Sequence, residues 1–435
     1  MAREGADGAD ERDDGGRDRG GGGVADGSGP AVGGPDALGT DYAPLAAALA
    51  AADAAGFVAV GDRFDDDLRW LTRFAGPDRA YAFVATAGAD ADGGEGGGLH
   101  TTLCAPALFD DQARREFAGD AVRTEGQGDP AGVRAAAALA DRGVEAGTVL
   151  VPRSIPHDAA VYLERAGYEV TSTDAVARAR ETKTEAELDR LRRVQRAALR
   201  GMARAETVLA EATVDADPDG ADGGDAAVRW NGGVLSTERL RRQVNATLAA
   251  HGVRDAGNTV VGAGATAADL HYTGTDVIRP GETVLIDVSP RGPDGYYGDV
   301  TRTFAVDPDG GWERRAYLAV EAAREAALEE VAAGVTASTV HEEAAAELAA
   351  HGFRVDSAET GFTHGVGHGV GVSLHEGPSL TADEELAAGN VVTVEPGVYD
   401  PEEGGVRLED LVVVTDDGFD FLGEYPFSLV PRSRE

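Results

Sequence analysis

Residues 283–306 read TVLIDVSPRGPDGYYGDVTRTFAV. Apolar, β-rich runs at 283–288 and 300–306 flank the turn-forming SPRGPDG, which predicts a β-hairpin. Centring the turn on Pro293 sets Asp287 directly opposite Asp299, with Cβ atoms roughly 4.5–5.5 Å apart on one face. A second hairpin is written at 391–415, VVTVEPGVYDPEEGGVRLEDLVVVT, where a turn centred on Glu402 sets Glu395 against Glu409. Each hairpin therefore holds two carboxylates face to face inside apolar strands. Like charges so opposed destabilise a sheet, and buried carboxylates without a partner cost more, so a cation is required between them. An arginine can supply it, with Arg302 and Arg407 at hand, but that accounts for one pair only. Two pairs beside a histidine-bearing strand fit better a hard oxygen-and-nitrogen ligand set for two divalent ions about 3.5–4 Å apart.

That strand is GFTHGVGHGVGVSLHEGP, residues 361–378. The spacing of His364 and His368 matches one helical turn, yet each glycine costs a helix interior about 1 kcal/mol relative to Ala. A strand explains the pattern better. His364, Val366, His368, Val370 and Val372 then share one face, and the intervening glycines leave the other bare for close approach of a second backbone. The plainer alternative is a glycine-rich loop with incidental histidines.

The chain has 435 residues, enough for two or three domains, and 39 basic against 77 acidic residues give a net charge of -38. That sign disfavours nucleic acid and anionic membranes as partners. Nearly every basic residue is arginine; Lys183 is the one lysine. An acidic, lysine-poor, Ala/Gly/Asp-rich composition reads as that of a protein from a salt-loaded cytoplasm, where salt screens self-repulsion. The single cysteine, Cys104, cannot form an internal disulfide and sits in apolar TTLCAP, as a buried thiol would. No apolar run reaches the length of a membrane span, and the N-terminus lacks a signal-peptide pattern, so a cytoplasmic protein is expected.

Residues 1–39, almost devoid of large apolar side chains, are expected to be a disordered acidic, Gly-rich tail. From 40 to 178, strands (RAYAFVAT, LHTTLCAP, GTVLVP, GYEVTST) alternate with helical stretches, an α/β domain. From 179 to 435 the fold is expected to be α+β. Helices are predicted at 184–212, opened by a Thr184/Glu187 capping box, and at 236–251, 311–333 and 337–351. The stretch 213–233 reads as a solvated insertion. VVGAGATAAD contains G-x-G-x-x-A, but HYTGT interrupts any following helix, so a dinucleotide loop is rejected.

Taken in order, IDVS…GYYGDVTRTF, HGVGHGVGVSLHEGP, VVTVEPGVY and GGVRLEDLVVVT resemble the pita-bread metallopeptidases, in the branch of Xaa-Pro aminopeptidases and prolidases (Xaa-Pro dipeptidases). The resemblance covers roughly 180–430, and DLRWLTRFAG at 67–76 resembles the creatinase-like N-terminal domain of that branch. The Asp–Asp separation is one residue longer than is usual there. By position, the resemblance implies that Asp287 chelates one metal, Asp299 and Glu409 bridge both, and His368 and Glu395 complete the other. It implies helper roles for His271 and His375, general-base work for Glu395, and a proline pocket or support of the metal site for His364, Tyr399 and Arg407. It further implies two divalent ions (manganese first, cobalt or zinc as alternatives), Xaa-Pro peptides as substrates and a homodimer. Xaa-Pro aminopeptidase is the preferred activity, with Xaa-Pro dipeptidase as the alternative. Two rivals share the fold, a metal-free amidinohydrolase of creatinase type and a non-catalytic peptide- or protein-binding module. Both would lack the full ligand set.

Overall fold

The computed structural model describes residues 38–88, 98–125, 128–215, 226–357 and 359–434. The expected disordered tail thus lies outside the described residues except for its last two. In the N-terminal third, strands β1 (Gly56–Gly61), β2 (Tyr81–Ala87), β3 (Leu99–Pro106), β4 (Ala121–Glu125), β5 (Gly147–Pro152) and β6 (Tyr168–Thr173) form one sheet, ordered β4-β3-β2-β1-β5-β6. The pairs β1/β2 and β2/β3 are antiparallel; β3/β4, β1/β5 and β5/β6 are parallel. Helices α1 (Ala43–Ala51), α2 (Asp66–Thr72), α3 (Asp110–Glu116), α4 (Ala131–Asp141), α5 (His157–Arg165) and α6 (Ala175–Glu181) connect or flank these strands. GFVAVG and YAFVAT are buried along nearly their whole length, because a sheet covered on both faces favours continuous apolar runs over alternation. Cys104 lies in this sheet as a buried free thiol.

One face of the sheet packs on α4 and α5 through Val58, Val84, Ala135 and Leu163. The other, with Phe57, Phe83 and Leu103, shares a core with Leu188 and Leu191 of the next helix, α7 (Glu185–Ala210), and with Val370, Val391 and Leu411 far along the chain. The Thr184/Glu187 capping box is present. Glu187 also accepts from Trp70, Arg73 and Tyr296 at 2.7–3.0 Å, tying α2 and the tip of the first hairpin to the start of α7.

At both ends of the expected solvated insertion the described residues form strands. β7 (Thr213–Asp215), β8 (Ala227–Trp230) and β9 (Gly233–Val234) form an antiparallel sheet, and Val228 is buried against α7 and α8 (Thr237–Ala250). Only 216–225 lie outside the described residues. β10 (Val260–Ala263) runs into a short 3-10 turn rather than an α-helix, as the rejection of a dinucleotide loop requires.

β11 (Thr283–Asp287) and β12 (Thr301–Ala305) complete the first hairpin, with one correction: Asp287 pairs with Thr301, not with Asp299. The loop is the reason. Gly295 N–H donates to Gly292 O at 3.1 Å and Gly295 has φ of +96°, so Pro293–Gly295 form a three-residue loop centred on Asp294. Asp299 becomes the diagonal neighbour of Asp287, two residues along and still on the same face. Helices α9 (Trp312–Glu329) and α10 (Ala337–Ala350) then lead to a second sheet of β13 (His368–Gly369), β14 (Glu376–Ser379), β15 (Val391–Val394), β18 (Asp410–Thr415) and β19 (Gly418–Phe421), with the hairpin β16 (Gly397–Asp400)/β17 (Gly404–Arg407) between. β15/β18 and β16/β17 share one register centred on Glu402, which leaves Glu395 and Glu409 facing each other at the break between the two ladders.

The two halves therefore repeat one theme. A helix pair (α7/α8, then α9/α10) packs on the back of an antiparallel hairpin, and the carboxylates lie on the opposite side. Within the histidine stretch, strand is confined to His368–Gly369 (β13) and to 376–378 at the start of β14, and most of the remainder bends or is irregular. Its glycines act through close packing instead. A Cβ on Gly367 would stand 2.0 Å from Thr393 O, and one on Gly369 2.0 Å from Gly377 O. No helix among the described residues is long and apolar enough to cross a membrane.

Candidate metal centre

Asp287, Asp299 and Glu409 converge, each offering an oxygen within 4.8 Å of the others. Three local devices bring them together. Asp287 ends β11 on the face that Asp299 shares. The backbone of Asp299 is held by a side chain: Gln195 of α7 donates to Asp299 O at 2.7 Å and accepts from Asp299 N–H at 2.8 Å. Thr301 joins the two hairpins, since its carbonyl accepts from Glu409 N–H at 3.0 Å and its hydroxyl donates to Glu409 Oε2 at 2.8 Å.

Beside this trio lies Glu395, with His368 Nε2 at 3.3 Å from Oε1 and the Thr393 hydroxyl donating to Oε1 at 3.2 Å. His368 Nδ1 is 3.0 Å from Gly369 O, so Nδ1–H donates to that carbonyl and Nε2 is the nitrogen turned toward the carboxylates. Arg407 is the organic cation of the group. Its Nη2 is 2.6 Å from Asp287 Oδ2, its Nε 3.6 Å from Glu395 Oε2, and its Nη1 donates to Tyr399 OH at 3.1 Å. Tyr399 in turn donates to His364 Nε2 at 2.9 Å, while His364 Nδ1–H donates to Gly365 O at 2.8 Å. Arg302, the other arginine considered as a counter-charge, turns away and pairs with Asp410 at 2.7 Å.

These side chains floor a cleft of about 540 Å³ lined also by His271, His375, Leu270, Leu374, Asn258 and Ser289. His271 and His375 are exposed to it, the His375 ring edge-on to His368 at 4.3 Å between centroids. His364 and Arg407 line the cleft, Arg407 largely buried beside the carboxylates, and Tyr399 is buried without lining it. Sequence reasoning missed Gln195, Thr301 and Thr393. The two threonines stand two residues from Asp299 and Glu395, hydroxyls alternating with carboxylates along one strand face, a signal that could have found them.

Burial, and then mutual repulsion, raise Asp299 and Glu409 well above the ordinary carboxylate range. Asp287 is raised by burial despite Arg407. Burial also pushes Glu395 up, but His368 and Arg407 outweigh it and hold the group at about 2. One guanidinium thus neutralises part of a four-carboxylate cluster. Asp287 Oδ1 is buried with no hydrogen-bond partner among the described residues. An orphaned carboxylate oxygen, a convergent oxygen trio and an imidazole nitrogen turned toward Glu395 fit divalent cations.

Residues 189–416, more than half of the chain, match the model of metallopeptidase family M24. The probable dipeptidase PepE of Mycobacterium tuberculosis is 32% identical over 264 residues, which cover 60% of this chain and 63% of that protein. The match therefore spans less than two thirds of that relative's length. The crystal structure of dipeptidase PepE from Mycobacterium ulcerans superimposes with a TM-score of 0.70 at 28% identity, covering 89% of this chain and 96% of that one. The Xaa-Pro dipeptidase from Bacillus anthracis gives 0.73 at 20% identity, covering 89% and 98%, a likeness of fold. With the family's model spanning both carboxylate hairpins and the histidine stretch, the chain belongs to metallopeptidase family M24.

Proposed function

We propose that this chain is a dinuclear metallo-exopeptidase that hydrolyses Xaa-Pro bonds, acting as an Xaa-Pro aminopeptidase. The observation that carries the reading is the convergence of Asp287, Asp299 and Glu409 on the floor of a cleft whose walls carry His271 and His375. In this reading Asp287, Asp299, Glu409, His368 and Glu395 would together hold two divalent ions. Such a pair of ions, when bound, supplies an activated water and polarises the scissile carbonyl. Glu395, whose charged form His368 and Arg407 favour, accepts a proton and returns it to the leaving nitrogen. His271 and His375, facing the cleft, donate hydrogen bonds to the substrate carbonyl as its oxygen gains charge. His364 borders the proline ring, while Tyr399 and Arg407 hold His364 and Asp287 in place through hydrogen bonds. An Xaa-Pro bond has no N–H and restricts the preceding residue, so a shaped pocket is needed to select it.

A second reading, Xaa-Pro dipeptidase, is favoured by relatives' names, among them the Xaa-Pro dipeptidase of Lactobacillus helveticus, 36% identical over 164 residues. Comparing Ala-Pro with Ala-Pro-Ala, each with added manganese, cobalt or zinc, separates the two. Cleavage of the tripeptide at a rate equal to or above that of the dipeptide supports the aminopeptidase; cleavage of the dipeptide alone makes it a dipeptidase. Equal turnover of Ala-Ala-Ala removes the proline pocket. We further assign manganese as the working metal, a homodimeric state, a high-salt cytoplasm as the setting, and domain limits at 40–178 and 179–435.

A further inference from the structure

Lys183, the one lysine of the chain, is buried. Its Nζ donates to Glu376 Oε1 at 2.6 Å and to Glu181 O at 3.1 Å. The other oxygen of Glu376 accepts from Arg180 Nη2 at 2.5 Å, and the Glu376 side chain is only 7% exposed. Space is reserved for it, because a Cβ on Gly371 would lie 2.1 Å from Glu376 Oε1.

Glu376 directly follows His375, which is exposed in the cleft wall. Two residues before His375 the chain is held again. Ser373 Oγ donates to Asp66 Oδ2 of α2 at 2.7 Å and also contacts Arg180. Arg180 reaches Asp67 of α2 at 2.7 Å, and Arg291 reaches Asp66 at 2.8 Å. The His375 backbone is therefore clamped on both sides by charges that the imidazole itself does not touch. A solvent-facing ring with its main chain so held loses little further freedom on meeting a substrate.

We propose that Glu376, neutralised by Lys183 and Arg180, is a positioning residue for His375, with Ser373 and α2 as the second anchor of the same segment. A buried carboxylate with two cations suits this task, since a charge taken from water holds its position only where its partners are fixed. The proposal rests on the peptidase reading, in which His375 donates to the substrate carbonyl.

The test measures kcat and KM on Ala-Pro-Ala, and bound metal, for the wild type, Glu376→Gln, His375→Ala and the double variant. Glu376→Gln is expected to keep full metal content and a near-normal KM while kcat falls ~10–100-fold. The double variant is expected to be no slower than His375→Ala alone. Losses that multiply in the double variant, or an unchanged kcat in Glu376→Gln, overturn the proposal. Should Glu376→Gln fold poorly, Ser373→Ala approaches the same segment from its other anchor and is expected to give a smaller loss of the same kind, again absorbed by His375→Ala; an unchanged kcat or a multiplying loss there overturns it equally. If the wild type cleaves no Xaa-Pro peptide, the activity reading fails separately, and the crystal structure of Glu376→Gln or Ser373→Ala decides positioning. A His375 ring displaced from His368 supports it, and an unmoved ring overturns it.

Discussion

Replacing Gln195 tests how far the metal centre depends on a residue that offers it no ligand atom. The carboxamide makes two buried hydrogen bonds to the backbone of Asp299, one at each of its atoms. Gln195→Met keeps most of the volume and removes both bonds, leaving an N–H and a carbonyl of Asp299 unpaired away from water. Each such group costs about 1–3 kcal/mol, so the chelator-treated protein is expected to lose roughly 2–6 kcal/mol in urea unfolding. That is a large part of the ~5–15 kcal/mol typical of folded proteins. Gln195→Ala adds a cavity and is expected to lose more. Because the Asp299 side chain then loses its fixed origin, titration calorimetry with Mn²⁺ is expected to show about 10–100-fold weaker binding, in the range found when an outer partner of a ligand is removed. A Gln195→Met protein with unfolding free energy within ~0.5 kcal/mol of wild type and unaltered metal affinity would refute the reasoning.

Three further outcomes follow from the geometry. Asp299 and Glu409 are raised by burial and repulsion, so their contribution to folding is present below the ordinary carboxylate pKa of about 4 and is lost as pH rises through the raised values. Chelator-treated wild type should therefore melt lower at pH 8 than at pH 5.5, while Asp299→Asn or Glu409→Gln flattens that slope and abolishes metal binding and turnover; an unchanged slope counts against the cluster. Gly367→Ala drives a Cβ to 2.0 Å from Thr393 O and is expected to cost about 3 kcal/mol or more, read by denaturant unfolding, with near-normal stability as the contrary result. A net charge of -38 should make the melting temperature rise steeply from dilute buffer to molar KCl, and a flat response shows that salt screening is not what holds this chain folded.

The second hairpin was legible down to its register, because Pro401–Glu403 with a glycine behind them admit one loop centre, Glu402. The first was legible as a hairpin but misread by one residue in its loop. Pro293 draws the eye as the turn centre, whereas the left-handed Gly295 shifts the centre to Asp294. The histidine stretch shows a different limit. Its alternation was real, yet Gly367 and Gly369 serve close backbone approach more than extended pairing, and approach depends on Thr393 and Gly377, partners no local pattern names. Gln195 was invisible for the same reason: it acts across 104 residues of chain. Arg407 could be read as a counter-charge for one carboxylate pair, but its grip on Asp287 together with Tyr399 needed three segments in contact.

The burial of Lys183 reaches beyond the cleft. With its one ammonium side chain 2% exposed and occupied by Glu376, the surface presents no lysine to acylating reagents. Amine-bridging cross-linkers therefore cannot tether two copies through lysine side chains, and a negative result from them says nothing about a homodimer. Carbodiimide coupling through the abundant surface carboxylates, with an added diamine, is the chemistry that this composition leaves open for trapping one.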